Sequence, residues 1–116
     1  MKTSERFFKL DTLHQYCDFE AKKNTFYESN QSAGAVWCIR PGQFLKPHKH
    51  AEADDIWIVL EGKGEFVTNN NEKKIIKKGD IIVSYPGDIH GVYNNGEENF
   101  VMLGFATPMP LDFIEC

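Results

Sequence analysis

His48 and His50 stand two residues apart in the stretch Phe44-Leu-Lys-Pro-His-Lys-His, and an acid, Asp55, follows five positions later. On an extended strand alternate side chains share a face, so the two imidazoles open on one space and lie close enough to share an ion. Asp55 has the wrong parity to join them on the same strand. The insert Ala51-Glu52-Ala53 predicts a break, which leaves Asp55 to come from a turn or a neighbouring strand. A second stretch, Gly79 to Asn94, contains Pro86-Gly87-Asp88-Ile89-His90 and offers a third imidazole. Imidazole nitrogens and a carboxylate suit a divalent transition metal. His14 stands alone and is expected on the surface or in packing.

The elements that must position these residues are short. From residue 33 the chain runs in apolar segments punctuated by Gly, Pro and Asn. Strands are expected at 35–40, 44–50, 56–60, 65–68, 73–77, 81–85, 90–93 and 100–106. Asn69-Asn70-Asn71 and Asn94-Asn95-Gly96 read as hairpin turns, since asparagine tolerates positive φ. Gly42, Gly62, Gly79 and Gly87 are assigned to turns of unusual φ. Earlier in the chain, 7–10 and 25–29 read as strands and 13–19 as a turn of helix capped by Asp11 or Thr12. Pro108 and Pro110 are read as closing the fold. This spacing indicates an all-β sandwich or barrel. Residues 1–30 are expected to form an extension that packs on the barrel or adds strands to it, and residues 31–116 the barrel itself.

In Asp55-Ile56-Trp57-Ile58-Val59-Leu60 both parities are apolar. Trp57 and Val59 share the face of Asp55 and are assigned to the interior. Ile56, Ile58 and Leu60 then need a cover from another sheet or a second copy, and a homodimer is the expectation. By the same parity Phe44 and Lys46 join His48 and His50, which would set Lys46 against an anionic substrate. The alternative is a bulge at Pro47 that turns Lys46 outward.

Composition excludes several classes. The 116-residue chain suffices for one domain with a core, and its net charge of −4 lacks the basic stripe that nucleic acid requires. No apolar run reaches membrane-spanning length, and the N-terminus does not read as a secretory signal. The three cysteines, Cys17, Cys38 and Cys116, are odd in number and widely spaced. They argue against a disulfide framework and for a reducing, cytoplasmic setting.

Two half-patterns resemble those of the cupins, small double-stranded β-helix or jelly-roll barrels. Gly42, His48, His50, Asp55 and Gly62 fall at the spacings of the first cupin motif, with Asp where the family usually has Glu. Gly79, Gly87, His90 and Asn94 match the second, with Tyr85 where a Pro usually stands. The resemblance implies a cupin barrel and a metal held by His48, His50, Asp55 and His90. The ion would be one of Mn, Fe, Co, Ni, Cu or Zn. Asp55, a methylene shorter than Glu, binds directly, through a water, or beside the ligands, with Glu52 and Asp54 as nearby substitutes. Asn94 is expected to fix the turn after the His90 strand.

The resemblance also implies the range of chemistry. Small cupins include sugar isomerases, hydratases, lyases, decarboxylases and dioxygenases, together with domains that only bind a ligand. A metalloenzyme acting on a small carbohydrate or carboxylate is the first expectation, and a non-catalytic binding or sensor module the second. Asp88, Glu52 and Asp54 are candidate acids or bases, and spacing selects none of them. The tail 105–113 resembles that of small cupins acting on unsaturated uronates, without the Arg expected there.

Overall fold

Short apolar runs between turn residues give a nearly all-β molecule in the computed structural model, which describes residues 5–116. The first four residues of the expected N-terminal extension lie outside the described residues. In chain order the strands are β1 (Lys22–Glu28), β2 (Ala33–Ile39), β3 (Phe44–Lys49), β4 (Asp54–Glu61) and β5 (Lys63–Val67), then β6 (Lys73–Lys77), β7 (Ile81–Ser84), β8 (His90–Tyr93), β9 (Phe100–Thr107) and β10 (Ile114–Glu115). They form two five-stranded antiparallel sheets, ordered β1-β2-β9-β4-β7 and β10-β3-β8-β5-β6. This is the double-stranded β-helix expected from the sequence.

The turns behave as their residue types dictate. Gly42, Gly62, Gly79 and Gly87 all have positive φ, as do Asn70 and Asn71. Asn94 is buried, and its amide donates to the carbonyls of Ile39 and Glu98 while its Oδ1 accepts the Gly96 amide. It ties the turn after β8 to the end of β2.

Between the sheets lies a core of Ile39, Trp57, Val59, Phe66, Ile76, Val92, Phe100 and Met102. Trp57 and Val59 face inward on β4, as parity requires. The opposite face of the first sheet is only partly bare. Val36, Cys38 and Val101 form a second cluster, against which Leu13, Tyr16, Leu60 and Leu103 pack. Leu60, for which the sequence suggested a cover by another sheet or a second copy, thus shares this cluster with Leu13 and Tyr16 from the segment before β1. The helical turn lies earlier than expected, as a 3-10 turn at Leu10–Leu13, and neither Asp11 nor Thr12 caps it. Cys17, Cys38 and Cys116 are all free thiols.

One strand departs from simple alternation. In the pairing of β3 with β8, Leu45 faces Val92 and His48 faces His90, so β3 carries one extra residue between them. This bulge contains Pro47, which cannot donate to the ladder. Gly91 lies beneath it. A Cβ there would sit 2.7 Å from the Cα and N of Pro47, so only glycine permits the approach. The bulge reverses the expected parity. Leu45 joins the pocket with His48, while Phe44 stacks on Tyr93 and Lys46 turns outward to pair with Glu115 at 2.9 Å. Of the two readings the sequence left open, the structure shows the bulge at Pro47 with Lys46 turned outward, and Phe44 is absent from the cavity lining.

Candidate metal centre

The fold brings His48, His50, Asp55 and His90 together from three strands and a loop. His48 and His90 are direct cross-strand partners on β3 and β8, which sets their rings 4.3 Å apart. His50 follows the end of β3, with its ring 5.2 Å from that of His48 and 5.0 Å from that of His90. Asp55 arrives from the opposite sheet, near the start of β4. One ligand atom from each residue lies within 4.8 Å of all the others. The three imidazoles are buried and Asp55 is 9% exposed.

Backbone carbonyls orient every ring. Nδ1 of His48 lies 2.7 Å from the Lys46 carbonyl, Nδ1 of His50 2.6 Å from that of Asp112, and Nδ1 of His90 3.1 Å from that of Asp88. A carbonyl oxygen only accepts, so each Nδ1 carries its hydrogen and donates. In a neutral ring Nε2 is then a bare lone pair. Oδ2 of Asp55 is 3.2 Å from Nε2 of His50 and 3.1 Å from Nε2 of His90. Acceptors facing acceptors need a positive charge among them, either a proton or a cation. The donor set therefore fits a divalent ion: three lone pairs with their tautomer fixed from behind, and one carboxylate.

Charge states follow from the surroundings. Burial lowers the His48 imidazole to about 4, with His90 and His50 adding to the effect against the pull of the Lys46 carbonyl. His50 is raised, chiefly by its hydrogen bond to Asp55. Burial works to raise Asp55, but the hydrogen bonds from His50 and His90 outweigh it and hold the carboxyl at about 2.

The cluster opens on a cavity of about 580 Å³. Its floor is small: Ala33 and Ala35 of β2, Gly104 and Ala106 of β9. Register places Glu28, Ala33, Ala106 and Asp55 in one row across four adjacent strands. Beyond the alanines, β1 presents Lys23, Thr25 and Glu28 to the same cavity. The Lys23 ammonium lies 5.8 Å from the centre of the Trp37 ring. The remaining wall is the C-terminal segment from Met109 to Phe113. β1 was not legible as part of the site, and the tail was legible only through its resemblance to small uronate-acting cupins. β1 lacks a motif, and β10 is two residues long after two prolines.

The other candidates fall elsewhere. Asp88 is a turn clamp: its carboxylate accepts the Tyr85 amide and the Asn69 side-chain amide, and Asn69 in turn accepts the Ile89 amide. Only its main-chain carbonyl reaches the cluster, which corrects its expected standing as an acid or base. Glu52 and Asp54 are absent from both the cluster and the cavity lining. His14 pairs with Glu61 at 3.1 Å, outside the cluster.

Two five-stranded antiparallel sheets enclosing a three-histidine, one-carboxylate cluster that could hold a metal ion define a cupin barrel. The chain belongs to the Cupin domain family, whose sequence model matches residues 35–105. It is similar to an uncharacterized conserved protein with a double-stranded beta-helix domain from Klebsiella pneumoniae, at 30% identity and a TM-score of 0.91, covering 97% of this chain and 98% of that one. Over 73 residues it is 37% identical to the pectin degradation protein KdgF of Dickeya dadantii, covering 63% of this chain and 64% of that protein. Over 69 residues it is 38% identical to a putative germin-like protein 2-2 of Oryza sativa subsp. japonica, covering 54% of this chain and 31% of that protein. The chain thus spans between about a third and just under two thirds of these two curated relatives.

Proposed function

We propose that this protein is a metal-dependent enzyme acting on a small polar metabolite that carries a carboxylate. His48, His50, Asp55 and His90 would hold the ion. The observation that carries the reading is the cavity: it reaches His48, His50 and Asp55 of the four-residue cluster and also Lys23 of β1, with alanine and glycine floor between. A bound divalent ion would polarise a substrate oxygen or acidify a bound water. The chain's own residues do the rest. Lys23 meets an anionic group, Trp37 offers an apolar face beside it, and Glu28 is positioned to exchange a proton with a substrate hydroxyl. The small floor leaves room for a sugar-sized skeleton, and the wall from Met109 to Phe113 restricts water. The likeness to a pectin degradation protein supports a sugar-acid substrate, with isomerase, hydratase or lyase chemistry ahead of oxidation.

We also propose a homodimer through the uncovered apolar part of the first sheet, residues 1–30 as an extension integral to the barrel, and, from the three free thiols, a cytoplasmic setting. The test of function has two arms. Metal content by elemental analysis should approach one ion per chain and fall sharply in His50→Ala and Asp55→Ala. A panel of sugar acids and keto acids should be turned over by metal-loaded protein and not by His50→Ala. Unchanged metal content in Asp55→Ala removes the acid from the ligand set. Tight binding of a panel member without turnover replaces the enzyme by a ligand-binding module.

A further inference from the structure

We propose that residues 109–116 form a strap that sets how tightly the histidine–aspartate cluster holds its cation, with Asp112 as the positioning residue. The inference rests on the metal reading above. Asp112 contributes at both ends of one short path. Its main-chain carbonyl accepts the Nδ1 hydrogen of His50 at 2.6 Å, the shortest of the three carbonyl contacts that orient the rings. Its carboxylate accepts the amide of Ala51, the next residue, with both oxygens at 3.1 Å. His50 lies beyond the end of β3, where its carbonyl accepts the Gly87 amide at 2.8 Å. Asp112 adds the restraint on the other side, holding the ring itself and the amide that follows it.

The rest of the strap reinforces this placement. The Phe113 ring stacks on His48 with centroids 4.5 Å apart and planes 17° from parallel. β10 pairs with β3 in a register that sets Glu115 opposite His48. Lys46, turned outward by the bulge, grips Glu115, and the Cys116 amide donates to the Pro47 carbonyl at 3.1 Å. Two of the three imidazoles are thus braced by a segment whose strand, β10, pairs with β3 and with no other strand among the described residues. Partners that orient metal-bound histidines commonly change metal affinity. Linkage makes the effect mutual: if a docked strap favours the ion, the ion favours the docked strap.

The dissociation constant for Zn²⁺ or Co²⁺, measured by competition with a chromophoric chelator on the full chain, tests this. Asp112→Ala should weaken binding roughly 10- to 100-fold, whereas Asp112→Asn, which keeps an acceptor for Ala51, should stay within about threefold of the original. The visible spectrum of bound Co²⁺ should shift in Asp112→Ala and be restored in Asp112→Asn. Should Asp112→Ala disturb folding, amide exchange on the unaltered protein decides: adding Zn²⁺ should slow exchange at Ala51 and Cys116. Equal affinity in Asp112→Ala, or exchange at those two amides indifferent to the ion, overturns the strap while leaving the metal site intact. An unaltered chain that binds neither ion overturns both.

Discussion

Burial and the hydrogen bonds between the rings and Asp55 fix what acid does to the metal-free protein. The three shifted groups act in separate windows. His50 is raised above 6.5, so its contribution is complete below 6.5 and fades only as pH rises through its folded value. Asp55 is lowered from 3.8 to about 2, so its contribution is complete above 3.8 and fades as pH falls toward 2. His48 is lowered from 6.5 to about 4, which reverses its sign. Between those values the unfolded ring takes a proton and the folded ring does not, so stability falls as pH falls. The chelator-treated protein should lose at least about 5 °C of melting temperature between pH 6.5 and 4.5. His48→Gln should flatten that slope, and an equal slope in the variant would assign it to another group.

The β3 bulge decides which residues face the site. A glycine at position 91 is needed for it, and Gly91→Ala would drive a Cβ against Pro47 backbone that has no room to give. The expected cost is about 1–3 kcal/mol, read as a lower denaturant midpoint at unchanged slope. Here the limits of the sequence are visible. After residue 20 most strand positions and turns were legible because Gly, Pro and Asn mark them, whereas the strand expected at 7–10 is not formed and β10 went unread; His90 was legible because its motif resembles a family pattern. Alternation along β4 correctly sent Trp57 and Val59 inward. Alternation alone along β3 sends Phe44 and Lys46 to the wrong face, because one extra residue inverts everything before it; Pro47 was the signal for the alternative, a bulge, that holds. Asp88 looked chemical in one dimension, yet its carboxylate is spent on local amides. Lys23, Glu28 and Asp112 carry no local signal. Their meaning arises only when β1 and the tail are folded against strands far away in sequence.

At the scale of the whole molecule, an apolar area on the first sheet stays exposed among the described residues. On β4 and β7, Ile56 pairs with Val83 and Ile58 with Ile81, on the face away from the cavity. Val83 is 42% and Ile81 65% exposed, whereas Leu60 on the same face is partly buried in the cluster that Leu13 and Tyr16 also join. A second copy is the proposed cover. Sedimentation at micromolar concentration should give the dimer mass, and Ile81→Lys should shift it toward the monomer. A monomer mass for the unaltered chain would contradict the proposal. The division of the cluster between layers has a separate consequence. His48, His50 and His90 belong to one sheet or its adjoining loop, and Asp55 to the other. Whatever grips all four also rivets one plate of the barrel to its opposite, so that prising the plates apart and emptying the site become a single event.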